Sequence, residues 1–397
     1  MKCKRLWTHF DFKHGGYAPC YRFKTAFFDG GKVPDLPSES FNSESWVRAR
    51  TQMMAGMFPP ECNDCKLQED EGIESYRMRS LTDEPEIPEP DYTTPYAEIY
   101  DIEMKLSRAC NYRCRHCGPF ANSTFEKIGD EHPQLRDRLM NDYDFNHLYK
   151  NENIIDIPTE EVIEDLIQNI IPNRVTRIAF SGGEPFYHQR MYTFLEQLID
   201  SPDIDTSRIL LTYNTNMSMT RFKKWKLEDL WSHFQRVHIT VSMDGTGDLF
   251  NYFREGGDYQ TVVNNIDEIL EKSDKIKSLL IACTTTAYHA FYMNEISRDI
   301  HSLVNAVRVR YPHVNCHARA NFVHWPKALD VVNLAEETKT RLYQETIEDD
   351  FTSDFRTRLL SPRTQPEETF KDVVRIQDMI HNRDASTLAP RIFDYVY

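Results

Sequence analysis

The chain has 397 residues, 40% of them hydrophobic, and a formal charge of −15 from 47 basic and 62 acidic side chains. That length exceeds one ordinary core and favours two units or a barrel with additions. The acidic balance argues against a general nucleic-acid binder, which needs clustered Lys and Arg to neutralise phosphate, while leaving room for a local basic groove. No apolar run reaches the length of a membrane span, and Met1-Lys2-Cys3-Lys4-Arg5 leads into no apolar signal segment, so a cytoplasmic protein is expected. Nine cysteines without a secretion signal read as metal ligands or buried thiols rather than a disulfide framework.

Residues 1–80 form a candidate cysteine-rich α+β domain holding Cys3, Cys20, Cys62 and Cys65. Gly15 and Gly16 predict a tight turn between short strands that returns Cys20 towards Cys3. A helix is expected over Ser45 to Met54, stopped by Pro59-Pro60, with Trp46, Val47, Met53 and Met54 covering the cysteines. Four thiolates suit either a zinc ion or an iron–sulfur cluster, and sequence distances do not choose between them. Residues 81–95 mix Asp83, Glu84, Glu86, Glu89 and Asp91 with four prolines, which predicts a solvated linker.

Strand-like and helix-like windows then alternate over residues 96–330. Strands are expected at Tyr100 to Leu106, Val175 to Phe180, Ile209 to Thr212, Val237 to Val241, Ile276 to Thr284 and Val314 to Val323. Thr159 before Glu160 and Glu161 predicts a capped helix. Strand-then-helix units imply a parallel sheet with right-handed crossovers, here a partial (β/α)6 TIM-like barrel in an α/β chain, with its site at the C-terminal ends of the strands. Asn122 to Ile157 interrupts that rhythm as an insertion with one or two surface helices. Residues 331–397 read as a helical C-terminal extension, with Phe370, Val373, Ile376 and Ile380 on one face.

Polar motifs fall at the predicted strand ends. The first is Cys110-Asn111-Tyr112-Arg113-Cys114-Arg115-His116-Cys117, and the second is Ser181-Gly182-Gly183-Glu184-Pro185. Asn214-Thr215-Asn216 and Ser242-Met243-Asp244-Gly245 end the third and fourth. Cys110, Cys114 and Cys117 followed by the Gly-Gly-Glu-Pro motif resemble the radical S-adenosylmethionine (radical SAM) superfamily over Tyr96 to Trp325. The alternative for the loop is a structural zinc site completed by His116.

The resemblance implies a 4Fe-4S cluster on Cys110, Cys114 and Cys117 with one iron open for S-adenosylmethionine. It further implies cofactor contacts from Gly182, Gly183 and Glu184, and from Asn214, Asn216 and Ser242 at the next strand ends. Arg254 is a candidate partner for the cofactor carboxylate. His116 stands where the family usually has an aromatic residue near the adenine.

Cys3, Gly15, Cys20 and the Cys62-x2-Cys65 pair resemble the auxiliary-cluster half of SPASM and twitch domains, here preceding the barrel. The resemblance implies an auxiliary 4Fe-4S cluster on Cys3, Cys20, Cys62 and Cys65, and Glu69, Gly72, Ser75 and Arg77 follow as in similar proteins. An oxygen-sensitive enzyme is therefore expected, one that cleaves S-adenosylmethionine reductively and abstracts hydrogen from a peptide or protein. It would draw electrons from a flavodoxin or ferredoxin. The alternatives are a small-molecule or nucleotide substrate, or a non-catalytic metal or electron-transfer module. Cys283 and Cys316 read as buried thiols. His313, His317 and His324 are assigned to packing or substrate contact.

Overall fold

The computed structural model of the chain describes residues 1–13, 16–23, 36–70, 72, 74–82, 84–143, 145, 158–323, 326–383 and 385–397. His14, Gly15, Asp83, His324 and the later part of the predicted insertion, 146–157, lie outside the described residues. The chain divides into two compact units. The first comprises Met1–Ser107, Ile155–Tyr213 and Asp229–Val237; the second comprises Arg108–Ile154, Asn214–Glu228 and His238–Tyr397.

Strands in the first unit are β1 His9–Lys13, β2 Gly16–Ala18, β3 Asp101–Met104, β4 Arg177–Phe180 and β5 Leu210–Thr215. They lie in the order β5-β4-β3-β1-β2, with only the β1–β2 pair antiparallel. In the second unit are β6 Arg236–Ser242, β7 Ile276–Thr285 and β8 Asn315–Phe322, in the order β8-β7-β6. All six expected strands are present within a few residues of their predicted bounds, and the chain is α/β. Alternation explains β6, where Val237, Ile239 and Val241 are buried while the residues between them are half-buried.

Helices follow from caps and periodicity. Thr159 Oγ1 accepts from the Val162 N–H, as its position predicts. Asp258 caps the helix Tyr259–Lys272, whose Val262, Ile266, Ile269 and Leu270 are buried at helical spacing. The insertion begins with helices Thr124–Glu131 and Pro133–Asp142. The extension carries the helix Glu367–His381, burying the predicted Phe370, Val373, Ile376 and Ile380, and Asn382 ends it in the left-handed conformation.

Two features of the first unit differ from expectation. The N-terminal strand β1 pairs in parallel with β3, placing His9 beside Asp101 and Asp11 beside Glu103. The acidic proline-rich stretch is solvated at Glu89 and Asp91 but not at Glu84, which is 8% exposed. Arg177 explains this, because it reaches Glu84 and Glu86 at 2.9 Å each and forks onto both Asp101 oxygens at 2.8 and 2.6 Å. A buried guanidinium holds a buried carboxylate that would otherwise seek water.

Candidate active site

The three-cysteine loop lies in the second unit and is braced by its own backbone. Residues Arg113–Cys114 pair antiparallel with Arg254–Glu255, so Cys114 sits opposite Arg254. The Arg115 N–H donates to Phe253 O at 3.1 Å, and Asn122 Nδ2 donates to Tyr112 O at 2.5 Å. Gly256, at φ +87°, packs so closely that a Cβ there would lie 2.8 Å from Asn111 O. Cys114 is 8% exposed, and Cys110 and Cys117 are half-buried. Burial raises the Cys117 thiol, and the neighbouring Cys114 and Cys110 raise it further, so it gives up its proton only with a compensating positive charge.

Two predicted residues meet this loop directly. Asn216 Nδ2 lies 3.8 Å from Cys110 Sγ and donates to Asn111 Oδ1 at 3.0 Å, while Asn111 Nδ2 donates to Ser218 Oγ at 2.9 Å. Arg254 is buried, with Nε and Nη2 at 2.9 and 2.7 Å from a single Asp244 oxygen. His116 stacks on Phe253 with ring centroids 5.3 Å apart, and its Nδ1 lies 3.7 Å from Asp244 Oδ2. Burial lowers the His116 pKa against the pull of Asp244. Asn214 stands exposed and Ser242 half-buried at the ends of their strands.

The glycine motif lies in the first unit. Gly182 has φ +112°, and a Cβ there would sit 2.9 Å from the Ser107 carbonyl, to which the Gly183 N–H donates at 3.0 Å. The need for glycine seen here is therefore set by the backbone at Ser107. Glu184 is 2% exposed, and its Oε1 caps the turn Pro185–Tyr187 by accepting from the Phe186 N–H at 3.0 Å.

In the same unit Cys3, Cys20, Cys62 and Cys65 line one cavity with Arg5 and Arg77. Burial pushes Cys3 up to about 12 and Cys20 up to about 11, and it raises Cys62, which Cys3, Cys20 and Cys65 raise further. Four thiols around one cavity have the chemistry of a metal donor set.

Met53 also lines this cavity, from the helix Glu44–Met54. Glu69 accepts from Ser75 Oγ at 2.5 Å and from Arg77 Nε and Nη2 at 2.8 and 2.6 Å, so it fixes the guanidinium that faces the thiols. Cys283 and Cys316 are fully buried, as expected, and none of the nine cysteines is in a disulfide.

Residues 104–286 match the model of the Radical SAM superfamily, a span that includes the cysteine loop and every motif named from Gly182 to Arg254. Just under half of the chain, residues 104–286, is a radical SAM domain. Members of this superfamily use a 4Fe-4S cluster and S-adenosylmethionine, and the three thiols on one loop fit that cluster. The chain is similar to the radical SAM cyclopropyl synthase TigE of Paramaledivibacter caminithermalis, at 27% identity over 209 residues, covering 52% of this chain and 38% of that protein. It therefore spans about two fifths of that relative's length.

Among solved structures, anSMEcpe with bound AdoMet and the Cp18Cys peptide is 16% identical, with a TM-score of 0.38 over 62% of this chain and 58% of the other. Streptococcus suis SuiB bound to its precursor peptide SuiA is 11% identical, with a TM-score of 0.36 over 75% of this chain and 60% of the other.

Sequence reasoning missed Asp244, Glu255, Arg115 and Gly256 as partners of the loop. All four stand within two residues of ones already singled out, but nothing in the sequence says what they touch.

Proposed function

We propose that this radical SAM chain is an enzyme that cleaves S-adenosylmethionine reductively and takes a hydrogen atom from a peptide or protein. The observation that carries this reading is the braced loop of three thiols inside the span that matches the superfamily. When bound, the cluster and S-adenosylmethionine supply one-electron cleavage of a C–S bond and a carbon radical that abstracts hydrogen. Cys110, Cys114 and Cys117 are assigned as cluster ligands. Gly182, Gly183, Glu184, Asn214, Asn216, Ser242, Arg254 and His116 are assigned to the cofactor.

Within that assignment, the Asn216 amide steadies Cys110. Asp244 fixes the plane of the Arg254 guanidinium, and Phe253 shields His116 from water on one face. Cys3, Cys20, Cys62 and Cys65 are assigned to an auxiliary 4Fe-4S cluster, in keeping with their shared cavity and their resemblance to auxiliary-cluster domains.

A peptidyl substrate is supported by the resemblance of the N-terminal cysteines to SPASM and twitch domains. A flavodoxin or ferredoxin is the proposed electron donor. A reducing cytoplasm suits nine cysteines with no disulfide, and an open-iron cluster makes the enzyme oxygen-sensitive. No described helix is long and apolar enough to cross a membrane.

Anaerobic reconstitution followed by dithionite and S-adenosylmethionine tests the reading, with 5'-deoxyadenosine as the expected product. Its absence from protein with verified clusters overturns the enzyme assignment. Candidate peptides encoded beside this chain then separate peptide modification from metabolism.

A further inference from the structure

Arg115, the residue after the second cysteine, is 1% exposed and points away from solvent into the helical extension. Its guanidinium lies 3.8 Å from the centre of the Tyr252 ring, and its Nε donates to Tyr252 O at 3.1 Å. Nη2 stands 2.7 Å from Asp378 Oδ1 as an ion contact whose N–H direction does not make an aligned hydrogen bond. Asp378 is held in turn by the Tyr252 hydroxyl at 2.7 Å and the Tyr397 hydroxyl at 3.1 Å.

The neighbouring helical residue grips the loop backbone. Gln377 Nε2 donates to the Arg115 carbonyl at 2.6 Å, while Gln377 Oε1 accepts from the Tyr288 hydroxyl at 2.6 Å. One turn further, His381 Nδ1 meets Glu255 Oε2 at 2.5 Å, and the other Glu255 oxygen pairs with Arg113. Gln377 and Asp378 thus contact Arg115 directly, and His381 meets Arg113 through Glu255.

We propose that the helix Glu367–His381 is part of the mounting of the three-cysteine loop, with Asp378 and Gln377 as positioning residues acting through Arg115 on Cys114 and Cys117. Burying a guanidinium costs several kcal/mol unless it is paired, so a chain needing only a filled core would place an apolar side chain here. The arrangement instead places a charge pair on the residue that stands between Cys114 and Cys117 in the chain. The pair fixes the loop's geometry, and Asp378 offsets a cation that would otherwise favour the more reduced, more negative cluster.

The inference rests on the cluster assignment made above, so the unmodified full-length protein is the control. After anaerobic reconstitution, its reduced EPR spectrum must change when S-adenosylmethionine is added. Failure there overturns the cluster assignment itself. The difference spectrum with and without S-adenosylmethionine isolates the three-cysteine cluster from any auxiliary one.

Asp378→Asn keeps the shape and removes the charge. The expected result is a shifted difference spectrum and a midpoint potential raised by at least about 59 mV, a tenfold change in the one-electron equilibrium. Where this variant does not fold, Arg115→Met with Asp378→Leu removes both charges without leaving one unpaired. That double variant should fold and bind iron, yet give a broadened, weakened response to S-adenosylmethionine. A folded variant of either kind with unchanged iron content, line shape and potential overturns the proposal.

Discussion

Arg254 points both Nε and Nη2 at the same Asp244 oxygen, while the other Asp244 oxygen accepts from the Thr284 N–H at 2.7 Å. Both side chains are buried, so each serves in place of water as a charged partner for the other. Burial acts to raise the Asp244 pKa, but Arg254, His116 and His289 outweigh it and hold the carboxyl below its ordinary value. Asp244→Ala strands a buried guanidinium opposite Cys114 and should cost about 3 to 5 kcal/mol. Chemical denaturation checks it; a loss below about 1 kcal/mol would mean that water readily takes the carboxylate's place.

Gly182 gives a second expectation, resting on backbone shape alone. Its φ of +112° is unfavourable for any L side chain, and the added Cβ meets a carbonyl oxygen that cannot swing away. Gly182→Ala should destabilise the first unit by about 2 kcal/mol or more. The reconstituted variant should also bind S-adenosylmethionine more weakly. Thermal melting together with equilibrium dialysis against the cofactor decides; a variant matching the parent in both would remove Ser107 as the reason for this glycine.

Much of this was legible in the sequence, for identifiable reasons. Ile102 and Met104 are apolar on alternate positions, as are Val237, Ile239 and Val241, so six strands could be placed from period alone. Cys110 and Gly182 were legible because cluster chemistry and positive φ each demand one residue type. Partners chosen by the fold were not. Phe10 and Phe12 announce a strand, yet nothing in them says that β1 will lie beside β3. Nor does Asp378 carry any mark of Arg115, 263 positions earlier, because an ion pair across that separation is a product of topology rather than pattern.

A pH dependence follows from Asp11, which sits against Lys105 and across from Glu103. Burial, then Glu103, push Asp11 from 3.8 up to about 6 against the pull of Lys105. Burial also acts to raise Glu103, but Lys105, His9 and Ser181 bring it from 4.5 down to about 2. Between about pH 4 and 6 the folded chain keeps a proton on Asp11 that the unfolded chain has released, so this group's effect on stability worsens as pH rises across that window. Glu103 acts oppositely, contributing fully above 4.5 and losing its contribution as pH falls through about 2. Asp11→Asn mimics the protonated acid and should gain on the parent by on the order of 2 kcal/mol between pH 4 and 7. Urea melts at four pH values in that range test it, and a difference that stays flat would show that Asp11 titrates alike in both states.

The four upstream cysteines can be separated from the loop by composition. Removing Cys110, Cys114 and Cys117 by triple alanine substitution leaves Cys3, Cys20, Cys62 and Cys65 around their cavity, with Arg5 and Arg77 still lining it. Binding metal there must expel protons from thiols that burial holds as high as about 12, a cost that a highly charged iron–sulfur core offsets by neutralising four thiolates at once. The triple variant should therefore still bind about four irons with matching sulfide, and should lose all response to S-adenosylmethionine. Metal analysis of that variant, reconstituted under the same conditions as the parent, reads the answer directly. One zinc in place of the irons would overturn the auxiliary assignment while leaving the three-cysteine cluster untouched, because the two donor sets share no residue.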